Sequence, residues 1–331
     1  MLYDKDWCIL NYLEDKIEID VKLIEEDIHR VLSTDLSLIK QRAVERAYEF
    51  VGMNPVICLS GGIDSQAMLN IIHDQNLPYT AITFDFGNGF NSQELEDAKR
   101  FAEFFNIDLK IIKLDVMRFL YTDLYEFAGK YNLTSPQFAV HCYFLEVIKS
   151  LGYTGAIFGG NGFLLNQDSV EFSLNDAQLL DLEKYSQISQ FKVIPSFLSF
   201  DRDLCLTLSL STSITPPDIE PINPFNKTDF DPVTRTIKQI IRVSEADRYT
   251  SKIKSYEKLG CKLIPQSNKK TGFEQIKEYH NSLNDSHWAF DREFRLPLRQ
   301  RMPEILITTK IDPTVEKTII DYSISKNSSD K

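Results

Sequence analysis

The run Val56-Ile57-Cys58-Leu59-Ser60-Gly61-Gly62-Ile63-Asp64-Ser65 constrains this chain more than any other stretch. An apolar, β-prone segment stops at a Ser-Gly-Gly turn, and an amphipathic helix is predicted at once over residues 66–74. A strand, a tight turn and a helix start bring unpaired backbone N–H groups and the positive end of a helix dipole to one place, which suits an anion. The two glycines let the backbone come close to a ligand without a Cβ in the way. Ser60 and Ser65 add hydroxyl donors for phosphate oxygens. Asp64, itself an anion, suits a Mg²⁺ ion that bridges phosphates. The turn holds no lysine, so it is not the GxxxxGK[ST] loop.

Further strands are predicted at residues 79–84, 109–114 and 155–158, with helical stretches between them. In the helix over 92–105, Leu95, Ala98, Ala102 and Phe105 recur at helical spacing. This alternation over 53–160 predicts an α/β fold with a doubly wound parallel sheet, in which ligands bind beyond the carboxyl ends of the strands. Ser33-Thr34-Asp35 can cap a helix over 36–51 that Gly52 ends. Asp115 caps the helix after the third strand, and Pro136 opens another in its first turn. Residues 1–52 read as a helical N-terminal segment around the alternating Ile17-Glu18-Ile19-Asp20-Val21. Residues 53–225 read as the nucleotide domain and 226–331 as a helical C-terminal region, with helices near 232–260 and 271–301. The pattern is expected to be helical and less regular from about residue 171.

Composition narrows the partners. A net charge of −11 disfavours extended binding to a nucleic-acid backbone. Five scattered cysteines (Cys8, Cys58, Cys142, Cys205 and Cys261) form no CxxC, so neither a zinc ribbon nor an Fe–S cluster is signalled, and reduced, buried thiols are expected. No apolar run is long enough to span a bilayer, and Met1-Leu2-Tyr3-Asp4-Lys5-Asp6 lacks the layout of a signal peptide, so a cytoplasmic protein without a membrane partner is expected.

Ser60-Gly61-Gly62-Ile63-Asp64-Ser65 resembles the SGGxDS pyrophosphate loop of the N-type ATP pyrophosphatases. That superfamily holds asparagine, GMP and NAD synthetases, tRNA-modifying ligases and thiolases, and 7-cyano-7-deazaguanine synthases. The resemblance implies ATP and Mg²⁺ as cofactors, cleavage between the α- and β-phosphates, and transfer of the adenylyl group to an oxygen of a small-molecule acceptor. A nitrogen or sulfur nucleophile then displaces AMP. It gives the phosphates to Leu59, Ser60, Gly61, Gly62, Asp64 and Ser65, with Asp64 holding the metal and both Asp64 and Ser65 serving catalysis. It also places the adenine at the end of the next strand, where Phe84 supplies main-chain contacts and Asp85 or Asn88 approaches the ribose or the acceptor.

The wording Ala81-Ile82-Thr83-Phe84-Asp85-Phe86-Gly87, followed by Glu94 and Ala98-Lys99, is similar to the 7-cyano-7-deazaguanine synthases; asparagine synthetases have a looser version. Gly159-Gly160-Asn161-Gly162 occupies the place of the asparagine synthetases' Ser-Gly-Asp-Gly segment, where an acidic residue helps bind Mg²⁺ and pyrophosphate. Here Asn161 stands at the acidic position beside the nucleotide-binding Gly159 and Gly160, with Asp168 as a nearby second carboxylate. Glu220-Pro221-Ile222-Asn223-Pro224-Phe225 is similar to a Val-Pro-Phe segment of the asparagine family. The family's downstream phosphate-neutralising lysine could be Lys227, Lys252 or Lys254. Arg292, Arg295 and Arg299, at helical spacing, either face the phosphates or form a solvated face. His141 and Cys142 point apart on a helix, giving a buried thiol beside a surface histidine.

The main expectation is an asparagine-synthetase-like amide or amine ligase. Too few residues precede 36 for a glutaminase domain, so nitrogen would come from free ammonia or a separate glutamine amidotransferase. One alternative is a 7-cyano-7-deazaguanine-synthase-like or tRNA- or base-modifying enzyme, against which the missing four-cysteine zinc site counts. The other is a non-catalytic nucleotide-binding module.

Overall fold

In chain order, β1 (Cys8–Tyr12) and β2 (Lys16–Val21) form an antiparallel pair with Cys8 opposite Val21. Helices α1 (Glu25–Ser33) and α2 (Leu36–Val51) follow. The α2 cap is the one its sequence predicts: the Asp35 carboxylate accepts the Ser37 N–H at 2.7 Å, and Gly52 closes the far end at φ 96°. These elements belong to a computed structural model that describes residues 7–12, 16–160, 163–165, 170–172, 177–211, 245–266, 271–299 and 306–329.

The central sheet then begins with β3 (Val56–Cys58), α3 (Ile63–His73), β4 (Thr80–Asp85), α4 (Ser92–Phe104) and β5 (Leu109–Lys113). Next come α5 (Val116–Thr122), α6 (Leu124–Tyr131), α7 (Pro136–Ser150) and β6 (Gly155–Phe158). A two-stranded antiparallel ribbon, β7 (Phe163–Leu165) and β8 (Val170–Phe172), precedes α8 (Ala177–Ser189) and β9 (Lys192–Ile194). The sheet order is β5-β4-β3-β6-β9, all parallel, so β3 is central and the chain winds outwards on both sides of it. That is the doubly wound α/β sheet expected from the sequence. The fifth strand was not: Lys192-Val193-Ile194 is too short for periodicity to distinguish it from the helical stretches around it.

Alternation along the strands sorts the core into two faces. Ile57, Leu59, Ala81, Ile157 and Ile194 pack with α2 and α3 on one side. Val56, Cys58, Ile82, Phe84, Ala156 and Val193 pack with α5 to α8 on the other. The helix after the turn is not amphipathic. Ile63 and all residues from Ser65 to Ile72 are buried, because α2 and a C-terminal segment, residues 261–266, cover what would be its outer face.

Helix α9 (Arg202–Ser211) closes the first part of the chain, and α10 (Glu245–Lys258) and α11 (Gly272–Leu283) begin the second. After a π-turn over Asp291–Arg295 and the short α12 (Leu296–Arg299), β10 (Leu306–Lys310) lies parallel to β2, with Thr308 beside Glu18. A region read from sequence as helical thus supplies the third strand of a β1-β2-β10 sheet. Helix α13 (Pro313–Ser329) then buries Val315 and Ile319 in the same core as Ile28 and Val31 of α1. Among the described residues, no helix is long and apolar enough to cross a membrane.

Candidate nucleotide-binding site

The Ser60–Gly62 turn leaves the end of β3, and two close approaches fix its shape. Gly61 has φ 81°, and a Cβ there would lie 2.4 Å from the Glu94 carbonyl oxygen on α4. Gly159, just past β6, runs so near the start of α3 that its Cβ would meet the Asp64 carbonyl carbon and the Ser65 nitrogen at 2.7 Å. Gln66, fully buried, donates to the Gly61 carbonyl at 2.7 Å and exchanges hydrogen bonds with Ile264, tying the turn to the C-terminal segment. The two serines meet each other at 3.1 Å, and the Ser65 hydroxyl donates to the Gly62 carbonyl. The Ser60 and Gly62 N–H groups have only long contacts, 3.2 and 3.3 Å, to those hydroxyls. Among the described residues, no acceptor is found for the N–H groups of Gly61, Ile63, Asp64 and Ser65. A helix start with such donors is suited to a phosphate group.

The turn forms one end of a cavity of about 390 Å³ that continues beneath it, between the sheet and α7. Leu59, Ser60, Gly62, Asp64, Ser65, Phe84, Gly159 and Gly160 line it, so the structure brings together most residues read as a site from sequence. Three stand apart. Gly61 lies behind the wall against α4. Asp85 turns away to accept the Gly87 N–H at 3.0 Å. Asn161 lies outside the described residues, as do Asp168 and Lys227. The main-chain carbonyl of Phe84, read as a base contact, instead accepts the side-chain N–H of the buried Asn91 at 2.7 Å. What Phe84 offers the cavity is its ring, stacked on Phe144 at 4.2 Å.

Several contributors take their place only through the fold. Lys252 on α10 contacts both Asp64 carboxylate oxygens, at 2.9 and 3.0 Å, and the Tyr256 hydroxyl donates to one of them. Burial, with Asp64 alongside, pushes the Tyr256 phenol well above its usual range, so it stays a donor. Lys252, one of the three lysines weighed from sequence, is thus at the turn. Arg292 and Arg295 do not line the cavity; Arg292 donates to Ser286 at 3.1 Å.

His141 is not on the surface. It faces the cavity among Phe138, Phe144 and Phe158, where burial pulls its pKa down to about 4 and keeps the imidazole neutral. Glu94 lines the same space, and burial pushes its carboxyl up to about 7 although the Gly272 N–H donates to it at 2.7 Å. Cys58 is also in the wall, but burial raises its thiol far above neutrality and makes it inert. All five cysteines are free and buried, and no cluster of three metal-ligating side chains occurs among the described residues.

Residues 54–126 match a family profile described as "Queuosine biosynthesis protein QueC". The 7-cyano-7-deazaguanine synthase of Methanosarcina barkeri (strain Fusaro / DSM 804) is 38% identical over 63 residues, covering 19% of this chain and 27% of that protein. The enzyme of the same name from Methanosarcina mazei is 40% identical over 63 residues, with the same coverage. The chain therefore spans about a quarter of the length of these curated relatives. Solved structures similar to it include the U34-tRNA thiolase NcsA from Methanococcus maripaludis with its [4Fe-4S] cluster, at TM-score 0.35 and 15% identity over 82% of this chain and 81% of that one. NMN synthetase from Francisella tularensis is similar at TM-score 0.31 and 16% identity, over 77% and 97%. None of these matches is an asparagine synthetase, and the closeness to that branch expected from sequence is not seen in them. Through its loop, second strand and following helix, within residues 54–126, the chain is similar to the QueC branch of the N-type ATP pyrophosphatase (PP-loop) superfamily.

Proposed function

We propose that this protein is an ATP-dependent, AMP- and pyrophosphate-forming synthetase of the 7-cyano-7-deazaguanine-synthase kind. It activates an oxygen of a planar, nitrogen-containing ring compound for attack by a nitrogen nucleophile. The observation that carries this reading is the Ser60–Ser65 turn at one end of an aromatic-lined cavity, where the N–H groups of Gly61, Ile63, Asp64 and Ser65 have no acceptor among the described residues. The matches over residues 54–126 support the deazaguanine branch. A wall of phenylalanines suits a flat ring better than a short aliphatic acid such as aspartate, and the charge of −11 favours a free small molecule over RNA.

The residues divide the work by chemistry. The Gly61, Ile63, Asp64 and Ser65 N–H groups and the α3 dipole would hold the β- and γ-phosphates, acting most strongly as charge builds on the leaving pyrophosphate. Bound Mg²⁺ would add positive charge there, and Asp64 is the carboxylate placed to hold it. One carboxylate together with phosphate oxygens is an ordinary Mg²⁺ donor set. Lys252 would then pass from Asp64 to the phosphates. The zinc site that the deazaguanine resemblance implies does not fit five separate, buried cysteines, and no step is assigned to it. In this reading the nucleotide unit is the five-stranded sheet with α3, α4 and α7, completed by α10 and α11.

ATP–pyrophosphate exchange with a panel of heteroaromatic and aliphatic carboxylates tests the proposal. Exchange that depends on a ring acceptor supports it. Exchange only with an aliphatic acid restores the asparagine-type reading, and ATP binding with no exchange for any acceptor indicates a nucleotide-binding module. Asp64→Ala should lower Mg²⁺-dependent pyrophosphate release by at least about 100-fold while leaving thermal unfolding near that of the wild type. Unchanged turnover would remove Asp64 from its role.

A further inference from the structure

One side chain of the aromatic wall takes no part in holding phosphate. His141 lies on α7, one turn from both Gln137 and Phe144, and this face of the helix lines the cavity. Its ring reaches from the helix towards the sheet, with centroids 6.2 Å from Phe158 at the end of β6 and 5.0 Å from Phe138. The residue is half-buried, and the surface it keeps opens on the cavity. Among the described residues no hydrogen bond or ion pair reaches either ring nitrogen. His280, by contrast, spends both of its nitrogens, on Tyr121 at 2.6 Å and Glu293 at 3.1 Å, and His73 meets Tyr79 at 2.7 Å. Burial alone moves the His141 pKa, down to about 4, so at neutral pH one of its nitrogens carries a lone pair. The other titratable side chains lining the cavity are committed: Cys58 is held as a thiol, Asp64 meets Lys252 and Tyr256, and Glu94 accepts the Gly272 N–H. Position adds to availability. Phe158 runs directly into Gly159, whose backbone abuts the start of α3, so the imidazole borders the passage from the phosphate turn to the aromatic wall.

We infer that His141 is the general base of the second half of the reaction, taking a proton from the nitrogen nucleophile as it displaces AMP. The inference rests on the proposed function and adds to it the group that completes nitrogen transfer. In that step the nitrogen lone pair forms a bond to the activated carbon. The carbon–oxygen bond to AMP breaks, and its electron pair leaves on the AMP phosphate. The nitrogen, positively charged after attack, gives one proton to the free ring nitrogen of His141, and the imidazolium releases that proton to water as the products depart. An apolar wall around a neutral base suits this chemistry, because it admits ammonia and excludes the ammonium ion. The phosphate charge of the bound adenylate, arriving beside the ring, raises the basicity that burial lowers, at the step where a base is needed.

The two half-reactions separate this inference from the reading it rests on. The test uses the intact protein, the carboxylate that supports ATP–pyrophosphate exchange, and ammonium chloride or hydroxylamine as the nitrogen source. His141→Gln should keep exchange within about threefold of the wild type and lose ammonia-dependent AMP release by at least about 100-fold. Hydroxylamine tells a base from a binding group. Its adduct is acidic enough to lose a proton to water unaided, so hydroxamate formation should survive in the variant. His141→Phe, which packs among the neighbouring phenylalanines, should show the same pattern and guards against a loss caused by the introduced amide. Ammonia-dependent turnover retained in both variants, exchange lost as severely as nitrogen transfer, or no recovery with hydroxylamine would each overturn the inference. A loss seen with Glu94→Gln and not with His141→Gln would overturn it too, by moving the role to that carboxyl. Wild-type protein that exchanges with no acceptor would instead defeat the synthetase reading.

Discussion

At the residue scale, two positions show how the site constrains the fold. Gly61 combines a left-handed φ with contact against the α4 backbone, so Gly61→Ala meets both backbone strain and a clash that no rotamer relieves. The substitution should destabilise by about 2–4 kcal/mol, visible as a lower urea midpoint, and should abolish ATP binding. Glu94 works in the opposite sense. Its carboxyl titrates near 4.5 when exposed and about 7 in the fold, so between those values the folded protein holds a proton that the unfolded chain has released. Its contribution is present in full below about pH 4.5 and is lost as pH rises through 7. Glu94→Gln should therefore melt higher than the wild type at pH 8 and close to it at pH 4. Equal melting temperatures at pH 8 would show that Glu94 is not strained in the fold. The phosphate turn was legible because its signal is local, ten consecutive residues. Glu94 was legible only as a mark of family resemblance, since the burial that raises its carboxyl pKa comes from the folded cavity, whose wall includes Phe144 and Phe273 from far along the chain.

At the scale of elements, β4 and α4 are joined by a loop that one side chain holds. Asn91 donates to the Phe84 carbonyl and accepts the Phe86 N–H at 2.9 Å, standing in for a neighbouring strand where β4 runs out of one. Asn91→Ala would leave both groups buried without partners and should cost about 2–3 kcal/mol, measured by chemical denaturation. It should also loosen the cavity wall at Phe84 and Phe86. Strands β3 to β6 and their helices were readable from the sequence because apolar runs, turn residues and caps agree there. Asp35, Asp115 and Pro136 all stand where the structure uses them. Strands β9 and β10 were not, because strands this short, set among helical stretches, acquire their identity from the partner they pair with, β6 and β2.

Across the whole molecule, the ends of the chain form one body with the nucleotide site. The C-terminal α13 shares a core with α1, and the segment at residues 261–266 covers α3. Ile319→Ala, at a fully buried position, should cost about 2–4 kcal/mol and shift a single unfolding transition rather than release one end, as hydrogen exchange at α3 would show. The pairing of Lys252 with Asp64 spans 188 positions, a distance that no motif or periodicity can bridge. That pairing has its own outcome for ligand entry. Because the ammonium already neutralises the carboxylate, an incoming triphosphate meets no bare negative charge at the turn. Nucleotide should consequently still dock in excess EDTA, and chelation should silence turnover without emptying the pocket.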